Sequence, residues 1–348
     1  MSLTTLWTIV VSIIIFGLLI FVHELGHFWA ARWAKIRVLE FALGMGKEIF
    51  GWEKGGTRFT LRIFPLGGFC RMHGEDPDDP GLDPEGSFQR SPWLKRIVVL
   101  AAGSVMNFAL GIVLFFLIFF LLMGIPDAST SKIGSVMPES RAYYAGLQDN
   151  DIILAVDGVE VADWESLVTV IHTSPEEELV LRVQRDEQIF STTVVPELVE
   201  GRGLIGITYA YSYKKYNFFA AMSLSVDNFL YWVKILYVGF YQMIMRIIPA
   251  DIAGPVGIVG IIGQFMERGL IDLIFFTAII SINLGVINLL PIPAIDGSKI
   301  LFLLVEKVRG KPIDPQKEGY IHFVGFVCLI MLILVVTYFD IMRLVTKS

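Results

Sequence analysis

Cysteine is nearly absent. Cys70 and Cys328 are the two in 348 residues, they lie far apart, and neither belongs to a C-x-x-C pair. That spacing argues against a disulfide framework or a cysteine-rich metal site and leaves both as packing residues. Basic runs are missing as well. The 28 Lys and Arg are outnumbered by 34 Asp and Glu, a net charge of −6, so nothing marks a nucleic-acid partner. Histidine is scarce, with five in the chain. The first apolar segment has no basic residue ahead of it and carries ionisable residues inside it. It does not suit a cleaved secretory signal and reads as a retained span.

Apolar residues are abundant: 54% of the chain, with a mean hydropathy of +0.64. Soluble domains rarely reach that value, and several membrane spans are expected. Four segments, 6–31, 97–123, 273–305 and 324–339, offer the roughly 20 apolar residues that a crossing needs. Arg32, Lys35 and Arg37 follow the first, Arg90, Lys95 and Arg96 precede the second, and Lys307, Arg309 and Lys311 follow the third. The positive-inside rule then puts the N-terminus outside and residues 32–96 and 306–318 in the cytoplasm, with Arg343 and Lys347 running mildly against it.

Other stretches differ in pattern. Residues 57–63 alternate with period two after Gly55-Gly56, which suits a hairpin, and apolar stretches at 41–45 and 49–52 flank it. A β-hairpin at the inner membrane face and an ordinary cytoplasmic hairpin fit equally. Residues 76–86 form an acidic, Pro/Gly-rich loop. From 131 to 197 the composition turns soluble, with short strands at 152–156 and 179–183 and turn residues such as Asp157-Gly158. This predicts a compact outer domain of about 70 residues. The expected order is a first span at 1–35, the hairpin and acidic loop at 36–92, a second span at 93–126 and the outer domain at 127–200. An amphipathic region at 201–269, a third span at 270–305, a cytoplasmic loop at 306–318 and a last span at 319–348 complete it.

The strongest chemical signal is His23-Glu24-Leu25-Gly26-His27 near the end of the first span. Positions i and i+4 share a helix face, so both imidazoles can bind one metal ion. Glu24 can accept a proton from a water there. Such a string can arise by chance on a surface helix, but ionisable residues inside an apolar run are costly and by default functional. A catalytic zinc site needs a third protein ligand and an open position. His73 borders a loop, His172 lies in the soluble domain and His322 begins the last span, so all three read as surface or boundary residues.

Asp296 is the better candidate, a carboxylate deep in an apolar segment that needs a partner. Pro291 and Pro293 break the helix before it, and Gly297 loosens the chain after it. Irregular backbone survives at membrane depth only when buried or lining a cavity. Its freed amides can pair with an extended substrate. The other reading is a Pro-kinked helix with an Asp cap. His23 lies about 26 Å along its helix from Leu6, near the cytoplasmic end. Asp296 meets it only if the third segment runs from outside to inside. Residues 218–248, apolar but interrupted by Asp227, Lys234 and Arg246, therefore do not complete a crossing and read as an amphipathic or partly embedded helix. Asn107 reads evenly as an interhelical hydrogen bond or a supporting site residue, and Asn288 as a substrate contact.

These residues resemble the site-2 protease family of intramembrane metalloproteases, most closely its bacterial branch that regulates the envelope-stress sigma factor. The similar stretches are His23-Glu24-Leu25-Gly26-His27, Phe64-Pro65-Leu66-Gly67-Gly68-Phe69, Gly254-Pro255-Val256-Gly257 and the run from Asn283 through Asn288 to Asp296-Gly297. The resemblance implies a polytopic α-helical membrane protein with four transmembrane helices, a membrane-associated β-hairpin that helps receive substrate, and one extracytoplasmic PDZ-like α+β domain. Tyr144-Ala145-Gly146-Leu147 and the stretch 151–158 carry the PDZ likeness. It further implies that Asp296 is the third zinc ligand, so the expected site is Zn2+ held by His23, His27 and Asp296, with Glu24 as the catalytic carboxylate and Asn288, Pro291 and Pro293 against the substrate. The expected partners are membrane lipid and single-pass membrane proteins already trimmed outside, in the bacterial inner membrane. Ser104 stands where the family usually has Pro and Ser298 where a second Gly is common, which puts local helix geometry in question. Two rival readings are an integral zincin for quality control and a PDZ membrane scaffold with structural zinc.

Overall fold

The computed structural model describes residues 3–75, 85–122, 125–126, 130–199, 201–212, 216–247, 253–311 and 313–347. Most of the acidic loop expected at 76–86 lies outside the described residues. Helix α1 (Leu3–Ala34) follows from a mostly apolar stretch that His23, Glu24 and His27 interrupt near its end. It stops where Lys35 turns left-handed at φ +64, with Ile36 N–H bonded back to the Ala31 carbonyl at 2.8 Å. Strands β1 (Val38–Lys54) and β2 (Thr57–Met72) follow, joined by Gly55 and Gly56 at φ +61 and +75, as a two-residue hairpin turn requires.

The hairpin is folded on itself. Residues 40–43 of β1 pair on one side with 58–61 and on the other with 68–71, while 48–54 pair with 57–62. Residues 68–71 thus form an edge. Glu40 is buried within this sheet and accepts hydrogen bonds from Thr60 Oγ1 at 2.8 Å and Arg62 Nη2 at 2.6 Å. Burial pushes the Glu40 carboxyl up, but the bonds from Arg62 and Thr60 and the charges of Arg62 and Arg71 outweigh it and hold the group below its ordinary value. Helix α2 (Trp93–Leu117) then returns with Gly103, Ser104, Asn107 and Gly111 on its buried face.

Residues 119–217 form a separate unit. Its elements are β3 (Ile125–Pro126), β4 (Ile133–Val136), α3 (Arg141–Tyr144), β5 (Ile152–Val156), β6 (Val159–Glu160), α4 (Trp164–Thr173), β7 (Leu179–Arg185), β8 (Gln188–Val194), β9 (Glu197–Val199), β10 (Arg202–Leu204), β11 (Ile207–Tyr209) and β12 (Tyr211–Ser212). An antiparallel sheet in the order β6-β5-β7-β8 covers a core that includes Ile153, Leu167, Leu181 and Val183. Asp163 caps α4 by accepting from the Ser166 N–H at 2.8 Å. The buried Asp151 carboxylate takes both a forked bond from Arg185, 2.8 Å on each oxygen, and the Gln148 N–H. Strand β11 pairs with β4, so the unit runs past the boundary near residue 200 that composition suggests.

Five helices complete the chain: α5 (Phe218–Ile244), α6 (Pro255–Arg268), α7 (Leu270–Leu289), α8 (Asp296–Arg309) and α9 (Pro315–Lys347). Among the described residues four helices are long and apolar enough to cross a membrane: Thr4–Ala34, Trp93–Leu121, Leu270–Leu289 and Gln316–Arg343. The segment expected at 270–305 is therefore two helices, with its spanning part ending at Leu289. Helices α1, α2 and α7 approach through small residues, which is how helices gain contact where lipid offers no hydrophobic drive. A β-carbon on Gly26 would land on the Ala102 carbonyl, and one on Gly285 would come within 2.5 Å of the Phe108 ring and 3.1 Å of the Ser104 carbonyl. Ser281 Oγ donates to the Asn107 carbonyl at 2.8 Å. Helix α5 lies against α2 and α7 through Phe229 on Phe108 and Trp232 on Phe275, and Ile262 of α6 packs with Ile15 and Leu19 of α1.

Candidate metal centre

Helix α1 carries His23 and His27 one turn apart, and the chain returns 269 residues after His27 to bring Asp296 to the same point. His23 Nε2 lies 3.1 Å from Asp296 Oδ2, His27 Nε2 lies 3.2 Å from the same oxygen, and the two ring nitrogens are 3.2 Å apart. The histidines are buried and Asp296 nearly so. Two imidazole lone pairs and a carboxylate oxygen facing one another repel unless a cation sits among them. A tetrahedral zinc with bonds of about 2.0–2.1 Å holds its ligand atoms about 3.3 Å apart. The observed triangle fits that requirement. Among the described residues this is the group of three His, Cys, Asp or Glu side chains placed to hold a metal ion.

The groups behind the triad select the right tautomers. His27 Nδ1 donates to the Val99 carbonyl at 2.8 Å, which leaves the Nε2 lone pair for the metal. His23 Nδ1 is 3.1 Å from the Asn107 amide, whose oxygen is otherwise buried without a partner among the described residues. With the amide oxygen turned toward His23 Nδ1–H, that oxygen gains a donor and the second Nε2 lone pair also faces the metal. Val99, Gly103 and Asn107 follow one another at intervals of four on α2, so all three lie on the face toward the histidines. Gly103 leaves the rings their room. A β-carbon there would come within 2.7 Å of the His23 ring.

Glu24 is buried and lines a cavity of about 490 Å³ together with the triad, Asn288, Lys299 and the 67–72 edge of β2. Gly68 lets that edge pass close by, since a β-carbon there would lie 3.1 Å from Glu24 Cγ and 2.9 Å from the Ala42 carbonyl. Asn288 Nδ2 is 3.4 Å from His23 Nδ1, beside the candidate ligands and open to the cavity. Pro291 is exposed and Pro293 half-buried in the 290–295 break. Lys299 donates to Glu75 Oε1 at 2.6 Å on the cavity's wall. Both were missed from sequence, although Lys299 stands one turn after Asp296. Of the other histidines, His73 follows β2, His172 sits in α4, and His322 accepts from the Ala294 N–H at 3.2 Å. Ser298 Oγ donates to the Ile295 carbonyl at 2.7 Å, so that departure strengthens the start of α8. Nothing in the structure explains Ser104, whose hydroxyl is buried without a partner among the described residues.

Residues 11–332 match the profile of peptidase family M50. The chain is 33% identical over 420 aligned positions to the zinc metalloprotease RasP of Geobacillus kaustophilus, covering 97% of this chain and 99% of that one. It is 31% identical to the regulator of sigma-W protease RasP of Bacillus subtilis, with the same coverage of 97% and 99%. The probable protease eep of Enterococcus faecalis is likewise 31% identical, again at 97% and 99%. The PDZ domain of an SdrC-like protein from Listeria monocytogenes is similar at 18% identity and a TM-score of 0.22, covering 23% of this chain and 87% of that domain. The chain belongs to peptidase family M50 and is a zinc metalloprotease of the site-2 type, built as a multi-pass membrane protein.

Proposed function

We propose that the protein cuts the membrane-spanning segments of single-pass proteins in the bacterial cytoplasmic membrane. The carrying observation is the Glu24 carboxylate, set between two imidazoles in an apolar helix and facing the same cavity as Asp296. His23, His27 and Asp296 would hold zinc, which would supply Lewis-acid chemistry for the scissile carbonyl and for water near neutral pH. Glu24 accepts a proton from the attacking water and passes it to the leaving amide nitrogen as the C–N bond breaks. The products are a carboxylate and an amine. A substrate helix hides its peptide bonds, so it must unwind first. The 68–71 edge of β2 supports that step by offering unpaired backbone to an extended chain, and Asn288 offers an amide beside it.

The B. subtilis relative is a regulator of sigma-W protease, which supports an anti-sigma factor as one substrate. The exposed Ile49, Phe50, Trp52 and Phe64 of the hairpin support its contact with lipid. The charge flanks support an outer position for the 119–217 unit, whose PDZ-like stretch then excludes bulky ectodomains. Reporters at residue 160 should read outside and reporters at residue 310 cytoplasmic; the reverse would invert this topology.

The test is co-expression of a trimmed single-pass protein with the intact chain or with Glu24→Gln. Cleavage inside the membrane segment should slow about 10²- to 10⁴-fold in the variant while zinc stays near one per chain. Equal cleavage by both would sink the assignment.

A further inference from the structure

Asp296 opens α8 directly after the 290–295 break, so the position of its carboxylate depends on how that break is held. A helix break at membrane depth frees backbone N–H groups that must find acceptors inside the protein. Within this break Ala294 adopts φ +77, the left-handed region that a non-glycine residue occupies only when its surroundings impose it. The imposing group comes from the last span. Ala294 N–H donates to His322 Nδ1 at 3.2 Å. The His322 ring is set edge-on against Phe302 of α8, with centroids 5.5 Å apart at 85°. One turn further along α9, Gly325 lies so close to Pro293 that a β-carbon there would come within 2.9 Å of the Pro293 carbonyl carbon.

We propose that His322 is a positioning residue for the metal centre. By accepting the Ala294 N–H it holds the left-handed turn that delivers Asp296 Oδ2 to 3.1 Å from His23 and 3.2 Å from His27. The docking of α9 against the break is thereby coupled to zinc retention through Ala294 and Pro293. This rests on Asp296 as the third ligand.

The test reads zinc release from the purified full chain into a chromogenic chelator. His322→Asn places an acceptor oxygen where Nδ1 stands, His322→Gln moves it one methylene away, and His322→Leu removes it. Release from the Asn variant should match the unsubstituted chain. Release from the Gln and Leu variants should be about tenfold faster, the low end for groups that support a metal ligand. Unchanged release from Gln and Leu overturns the proposal, as does an Asn variant that releases as fast as Leu. If the Leu variant does not accumulate, the Asn and Gln variants decide alone. Asp296→Ala in the same assay separates the two ideas. Full zinc there defeats the ligand assignment, whereas zinc loss there with an unchanged His322 series defeats the positioning role only.

Discussion

The α-carbon of Gly103 stands against the His23 imidazole so closely that an added β-carbon would lie 2.8 Å from His23 Nε2. The backbone of α2 is therefore one wall of the metal site. Gly103→Ala should displace the rings and weaken zinc binding by at least about tenfold, read as zinc per chain after dialysis against a chelator. Helix propensity pushes the other way, since Ala is favoured over Gly by about 1 kcal/mol in a helix interior. Loss of zinc thus cannot come from a weaker helix. Full retention would mean that the rings sit elsewhere when zinc is bound.

Asn107 offers a sharper test of proton placement. If its amide oxygen accepts His23 Nδ1–H, a carboxylate at that position serves as well and an alkyl group does not. Asn107→Asp should keep zinc, and Asn107→Leu should lose about 10- to 100-fold in affinity. Isothermal titration of the stripped protein with zinc measures both. A zinc-free Asp variant would mean that Asn107 donates to His23 instead.

The histidine pair was legible because one helix fixes the i, i+4 geometry, and Asp296 because a lone carboxylate is costly in an apolar segment. The hairpin turn at Gly55-Gly56 was legible for the same local reason. What sequence hid was tertiary. The 68–71 edge reaches Glu24 only because β1 pairs with β2 twice, and nothing in a period-two pattern announces the second pairing. Strand β11 has three residues, too few for a period, and its partner β4 lies some 70 positions earlier. His322 looked like a boundary residue because its role depends on an unusual turn at Ala294. Gly103 and Val99 could have been found, since both stand at helical spacing from Asn107.

Within the 119–217 unit, Arg185 is the sole side-chain cation on the buried Asp151 among the described residues. Removing it strands a carboxylate with no exposed surface. Arg185→Met should destabilise the unit by about 3 kcal/mol, the low end for breaking a buried pair, because Arg185 is itself partly exposed. Limited proteolysis in the native state should then cut the unit on the order of 100-fold faster, with zinc content unchanged. An acceleration of less than threefold would show that Gln148 N–H alone satisfies Asp151.

Glu75 and Lys299 form part of the wall of the cavity at the metal site. Lys299 Nζ lies 2.6 Å from Glu75 Oε1, joining the turn after β2 to α8 beside the metal site. Glu75 also accepts from the Met72 N–H at 3.4 Å, so the pair holds the end of the strand that flanks Glu24. Cys70 lies on that strand, buried and lining the same cavity, with burial pushing its thiol well up and so keeping it unreactive. It is a built-in reporter once the exposed Cys328 is replaced by Ser. Both partners are partly exposed, so the pair is worth about 1 kcal/mol rather than the full value of a buried one. Lys299→Met should therefore raise the alkylation rate of Cys70 roughly fivefold, and Glu75→Gln should do the same. The double variant should add little, because the two residues act through one contact. Additive effects would show that each side chain holds the strand independently, and an unchanged rate in all three would show that the pair does not restrain it.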